Sequence, residues 1–365
     1  MVVGRGAVRR GEKTAKWPWS PSSRSCISRE VWQYAAPRMS SMNRSHRIPR
    51  LVLATGLLVM LSLLSGCLSF HRGPLPGEPK GAYSTAGGVR LRYVDQQPAG
   101  GATAGAVVLL HGFASSLDTW NGVAPALVKR GHRVLSLDLK GFGWSERPAG
   151  DYSPEAQAKL VLALMDERGV KEAAVVGHSW GASVALSVAL AAPDRVTRLA
   201  LYDAWVYEEQ LPSFLLWSRA NGVGEVLFGL WYGERVDERL ALAFYDRRFV
   251  TEKLVEDVEK ALERPGTRAA ALAASRGQRF RRLQEKYRTI PQETLLLWGR
   301  EDGVAALSAG ERLSRDLPHA KLQVYPRCGH FPMIEAAEAS TRDLCEFLAA
   351  EPATVALPPR KEARR

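Results

Sequence analysis

Cysteine is scarce in this sequence: Cys26, Cys67, Cys328 and Cys345 are the only four in 365 residues. They form no Cys-x-x-Cys pair and stand at no zinc-ligand spacing from a histidine, which excludes a disulfide-stapled scaffold and a zinc module. No apolar run reaches the ~20 residues that a membrane-crossing helix needs, which excludes a polytopic membrane protein. Hydrophobic residues make up 46% and charged ones 24%, close to the globular average, so wholesale disorder and collagen-like repeats are excluded as well. Acidic residues are outnumbered, and the formal net charge is +12. That excess is not spread over the chain. Residues 1–66 hold eleven Lys and Arg against Glu12 and Glu30, so the remainder carries only +3. A nearly balanced body gives no footing for a nucleic-acid partner.

What is present begins with the presegment. From Leu51 to Leu64 the chain is almost wholly apolar, with Arg44, Arg47 and Arg50 just before it. A basic flank followed by so short a run is a signal-peptide pattern. It ends in Leu64-Ser65-Gly66-Cys67, which resembles the bacterial lipoprotein signal and implies a lipidated Cys67 as first mature residue. Two or three acyl chains anchor a protein stably where one does not. The expected location is therefore the bacterial cell envelope, lipid-anchored and facing the periplasm. Leu68 follows the cysteine in place of the aspartate of an inner-membrane retention signal, which favours the outer membrane. Residues 1–41 fit no part of such a signal, whereas Met39 and Met42 would each give it a conventional length. Gly73–Pro79 reads as an extended tether, and Pro358–Arg365 as a solvated basic tail.

In the body, short β-branched runs alternate with helical patterns, the signature of a mostly parallel sheet covered on both faces. Strands are expected over 89–94, 106–110, 133–137, 173–176, 199–202, 294–298 and 321–325, and helices over 154–167, 180–191, 308–316 and 336–348. The stretch 206–291 breaks the alternation. It holds no convincing strand but several helical stretches rich in aromatics, including Phe214, Trp217, Phe228, Tyr232, Phe244 and Phe249. A structureless loop of that length is implausible in a compact domain, so a helical insertion is expected.

The chemistry centres on Gly177-His178-Ser179-Trp180-Gly181, directly after one expected strand and directly before a helix. A Gly-x-Ser-x-Gly turn in that context exposes its serine at a sheet edge. The helix N-terminus beyond it offers free N–H groups to a developing oxyanion. Serine is a weak nucleophile and needs a base, usually a histidine oriented by a carboxylate. Of seven histidines, His330 in Cys328-Gly329-His330-Phe331-Pro332 stands in a loop after the last strand. Asp302, in Trp298-Gly299-Arg300-Glu301-Asp302-Gly303, follows the strand before it. Asp203 follows an earlier strand and is the rival acid. His111-Gly112-Phe113 closes another strand, so the Phe113 and Trp180 N–H groups are the expected oxyanion donors.

These motifs, with Asp138-Leu139-Lys140-Gly141-Phe142-Gly143-Trp144-Ser145, resemble the α/β-hydrolase superfamily over roughly residues 83–350. The nearest pattern is the capped branch of cofactor-free haloperoxidases, epoxide hydrolases and carbon–carbon bond hydrolases. The resemblance implies an α/β-hydrolase fold in which 82–205 and 292–350 form the core, 206–291 the helical cap, 67–81 the tether and 351–365 the tail. It implies Ser179 as nucleophile, Asp302 as acid and His330 as base, with no metal or organic cofactor. Epoxide hydrolases and dehalogenases carry aspartate at the elbow, so Ser179 favours an acyl-enzyme route on a small apolar acyl substrate. Carbon–carbon bond hydrolysis, perhydrolysis with the same triad, and a non-catalytic tethered binding protein are the alternatives. Lys140, where relatives commonly have proline or arginine, and the missing proline after Asp302 depart from the family pattern.

Overall fold

The computed structural model describes residues 82–350, Ala102 apart. The presegment, the Cys67 signal, the tether and the basic tail lie outside the described residues. Eight strands form one sheet: β1 Ala82–Ala86, β2 Val89–Gln96, β3 Ala106–Leu110, β4 Arg133–Leu137, β5 Ala173–His178, β6 Val196–Tyr202, β7 Thr294–Gly299 and β8 Ala320–Tyr325. Their order across the sheet is β1-β2-β4-β3-β5-β6-β7-β8. β2 pairs antiparallel with both β1 and β4, and every later pairing is parallel. The alternation of runs implied a mostly parallel sheet and the motif resemblance an α/β-hydrolase fold, and the structure has both.

The sequence of the central strands explains the layering. Successive side chains of a strand point to opposite faces. Val108, Leu110, Val175, Leu201, Leu296 and Trp298 enter one core, while Val107, Leu109, Val176, Ala200, Leu295 and Leu297 enter the other. Strands buried on both faces read as continuous apolar runs rather than alternating ones. The helix Pro154–Glu167 begins at Ser153, whose side chain accepts from the Ala156 N–H, and buries Leu160, Val161, Leu164 and Met165. The helix Trp180–Ala191 is buried along almost its whole length. Its two serines are made tolerable there by bonding back to the helix: Ser183 Oγ donates to Trp180 O at 2.6 Å and Ser187 Oγ to Ser183 O at 2.8 Å.

Between β6 and β7 the described chain contains helices and no strand. Phe228, Tyr232 and Phe244 of this insertion are buried, whereas Trp217, Leu230 and Tyr245 are largely exposed. Phe214, Phe228 and Tyr232 stack in series at 5.3 and 5.0 Å, and Tyr232 meets Phe113 of the core edge-on at 6.4 Å. Aromatic packing thus joins the insertion to the loop after β3. No helix among the described residues is long and apolar enough to cross a membrane.

Cys328 lies on the loop after β8 and Cys345 in the helix Ala337–Ala349; both are buried and unbridged. Burial pushes both thiols above their ordinary range, which makes them inert. A chain trimmed to residues 81–365 should therefore show two thiols to a disulfide reagent in denaturant without reductant, and none reacting promptly in the native state. A count of zero in the denatured, unreduced protein would mean that the two pair.

Candidate active site

Ser179 sits between β5 and the helix Trp180–Ala191 with φ 52° and ψ −120°, a conformation that L-residues seldom hold without support. The support is visible. The Ser179 N–H donates to Tyr202 O at 2.9 Å, and its carbonyl accepts from the N–H groups of Ala182 at 3.0 Å and Trp205 at 3.1 Å. The flanking glycines are required by space. A Cβ on Gly177 would stand 2.5 Å from Gly181 O, and one on Gly181 would stand 2.4 Å from His111 O. Strand and helix therefore approach closely only because no side chain stands between them.

The loops after β7 and β8 supply the polar partners. His330 Nδ1 and Asp302 Oδ2 are 2.8 Å apart, and the Asp302 side chain is fully buried. The other Asp302 oxygen accepts from the N–H groups of Val304 at 2.7 Å and Ala305 at 2.9 Å. With Nδ1–H donated to a carboxylate, the lone pair of the imidazole lies on Nε2, the arrangement a general base needs. Asp203, the rival acid, makes no hydrogen bond to His330; its Oδ1 accepts from the Gly299 N–H at 2.9 Å.

Ser179 and His330 stand on adjoining loops. His178 Nε2 donates to His330 O at 2.8 Å, and the two rings lie 4.8 Å apart. Burial, and then the neighbouring His330, push His178 well below the ordinary histidine range, so it joins the loops without adding charge. Ser179 Oγ makes no hydrogen bond to the imidazole in this structure; such contacts often close only when substrate binds. Near Ser179, the backbone N–H groups of Phe113 and Trp180 donate to no acceptor among the described residues. Gly112 brings the Phe113 turn against the elbow, since a Cβ there would lie 3.2 Å from Ser179 Cβ.

A model of the alpha/beta hydrolase fold family matches residues 105–337. The chain belongs to that family. This hydrolase is 32% identical over 257 residues to a 2-hydroxy-6-oxo-2,4-heptadienoate hydrolase of Pseudomonas putida, covering 67% of this chain and 89% of that one. It is also 32% identical over 225 residues to a 2-hydroxymuconate semialdehyde hydrolase of Pseudomonas putida, covering 60% and 77%. Among solved structures, a meta-cleavage product hydrolase of Pseudomonas fluorescens IP01 superposes with a TM-score of 0.60 at 28% identity, covering 73% of this chain and 97% of that one. An esterase of Exiguobacterium antarcticum shares the fold, with a TM-score of 0.64 at 18% identity, covering 74% and 100%.

Two motifs that mark this hydrolase in sequence are structural. His111 Nε2 accepts from the Leu139 N–H at 2.9 Å while Nδ1 donates to Gly112 O at 2.7 Å, fixing the loop behind Phe113. Asp138 is wholly buried and accepts from the N–H groups of Leu117 and Trp144, both at 2.7 Å, with Arg92 at 3.4 Å. Lys140, the residue that departs from the family pattern, donates to Asp151 O at 2.8 Å and lies over the Tyr152 ring.

Proposed function

We propose that this enzyme is a serine hydrolase that cleaves a carboxylic ester or similar acyl compound through an acyl-enzyme. The observation that carries the reading is the His330–Asp302 pair at 2.8 Å on the loops beside a strained elbow serine. His330 Nε2 takes the proton of Ser179 Oγ as the oxygen bonds to the substrate carbonyl carbon. The Phe113 and Trp180 N–H groups receive the oxyanion, each such donor contributing about 3 kcal/mol of barrier lowering. As the carbon–oxygen bond to the alcohol breaks, His330 returns the proton to the leaving alcohol. Water, deprotonated by His330, then attacks the acyl carbon, and the acid leaves with Ser179 restored. Asp302 holds the imidazole in its tautomer and stabilises its charged form throughout. Activity on p-nitrophenyl esters of graded acyl length tests the reading: a graded preference supports it, and no turnover at any length contradicts it.

A second reading is favoured by the relatives whose names specify dienoate substrates. The same residues would then cleave a carbon–carbon bond in a diketone-like acid, with a carbanion as leaving group in place of an alkoxide. Turnover of a 2-hydroxy-6-oxodienoate, faster than of any ester, would select it.

We further propose that lipidated Cys67 holds the enzyme on the periplasmic side of a membrane, with residues 67–81 as spacer. The support is the order of basic flank, apolar run and cysteine in the sequence. Cys67→Ser should abolish palmitate incorporation and block removal of the signal, while specific activity stays the same. A wild-type protein that takes up no palmitate and fractionates as soluble would refute the anchor and leave the hydrolase reading intact.

A further inference from the structure

Asp203 is wholly buried at the end of β6, and the mechanism above makes no use of it. Its N–H donates to Leu297 O at 3.0 Å, and its φ of 42° is in the left-handed region, so the backbone is held where few non-glycine residues settle. Oδ1 accepts the Gly299 N–H, while Oδ2 is buried and meets no N–H or hydroxyl donor. One oxygen of Asp203, one of Asp302 and one ring nitrogen of His330 all lie within 4.8 Å of one another. Two carboxyl groups this close in a dry site do not both ionise. Three N–H groups, from Val304, Ala305 and His330, converge on Asp302, whereas a single one reaches Asp203. Asp203 is therefore the better placed of the two to hold a proton.

We infer that Asp203 is a protonated carboxyl whose Oδ2–H donates to the Asp302 carboxylate, which makes it a positioning residue that sets how strongly Asp302 pulls on the His330 proton. The inference rests on the reading of Ser179, His330 and Asp302 as the catalytic set. Burial first, and then the Asp302 charge, hold the Asp203 carboxyl well above the ordinary carboxylate range. The groups that face it are Asp302 on the loop after β7, Cys328 and His330 on the loop after β8, Glu335 just beyond that loop, and Tyr202 on β6. The sign of the effect follows. A donor to Asp302 spreads its negative charge and weakens its hold on the Nδ1 proton of His330; without that donor the hold tightens.

Asparagine is the discriminating substitution, because its amide oxygen can accept from Gly299 while its N–H replaces the Oδ2–H donor. The test measures the rate at which a fluorophosphonate labels Ser179 as a function of pH, in the wild type and in Asp203→Asn, Asp203→Ala and Asp203→Leu. The Asn variant should keep the acidic limb in place and label within twofold of wild type. The Ala and Leu variants should move that limb upward by about one pH unit, so that labelling on the limb falls about tenfold. An Ala or Leu limb that stays in place, or an Asn limb that moves as far as theirs, overturns the inference. If neither donor-free variant folds, the Asn variant decides alone: an unchanged limb supports the donor role, and a shifted one rejects it. A wild type that is not labelled at Ser179 at all sinks the serine-hydrolase reading, and this inference with it.

Discussion

Ser179→Ala should lower kcat by about 10⁶-fold, the scale seen when the nucleophile of a serine triad is removed. The fold should not suffer. The hydroxyl makes no hydrogen bond to the imidazole, and the elbow is held by backbone groups, through Tyr202 O, Ala182 N and Trp205 N, which the substitution leaves in place. Hydrolysis of the best p-nitrophenyl ester, measured beside the thermal unfolding midpoint, checks both halves. An unchanged midpoint with rate at background is expected. More than one per cent of wild-type kcat in a folded variant would move the nucleophile elsewhere.

Asp302→Asn should cost about 10⁴ in kcat, the cost of inverting the tautomer of a triad histidine. The local hydrogen bonds explain why the effect is so large. The oxygen that accepts from Val304 and Ala305 must remain an acceptor, so the amide oxygen of asparagine is fixed there. Its NH₂ then points at His330 Nδ1, which can no longer donate to it. The proton moves to Nε2, the atom that should take the serine proton, and the base is blocked. Asp203→Asn should leave kcat within a few-fold. Steady-state kinetics of the two variants side by side check the assignment, and the reverse ranking would transfer the acid to β6.

The sheet was largely legible because its central strands are buried on both faces and are therefore continuous apolar runs. The Val107–Leu110 and Leu295–Trp298 stretches leave little else to read. β1 was not anticipated: Ala82–Ala86 is short, partly exposed and polar in pattern, so burial leaves no trace in it. The Gly87-Gly88 pair that follows, with φ of 57° and 81°, is a hairpin signal that could have revealed it. Several strands also run further than their β-branched runs suggested, since β5 carries on through Gly177 and His178 and β6 begins at Val196. Ladder pairing with neighbours sets those ends, and spacing along one chain does not report it.

The pairing of Asp302 with His330 was anticipated in the sequence, but the relation between the two acids was not. Asp203 and Asp302 each follow a strand, and 99 positions of sequence hide the fact that β6 and β7 are neighbours. Only the sheet order turns two rival acids into one cluster with His330. The tie of His178 to His330 O is likewise invisible in sequence, because an elbow histidine carries no signal of where its ring bonds. Within the insertion, the aromatic count alone does not divide Phe228 and Tyr232, which are packed inside, from Trp217, which faces solvent.

The central claim is that Ser179 is a nucleophile activated by His330, and site-mapped covalent labelling tests it most directly. The folded protein is treated with a fluorophosphonate and digested, and the modified residue is located by mass spectrometry. One adduct per chain is predicted, on Ser179, formed readily in the wild type and lost in Ser179→Ala. An unmodified protein, or an adduct on another serine such as Ser183, would contradict the account.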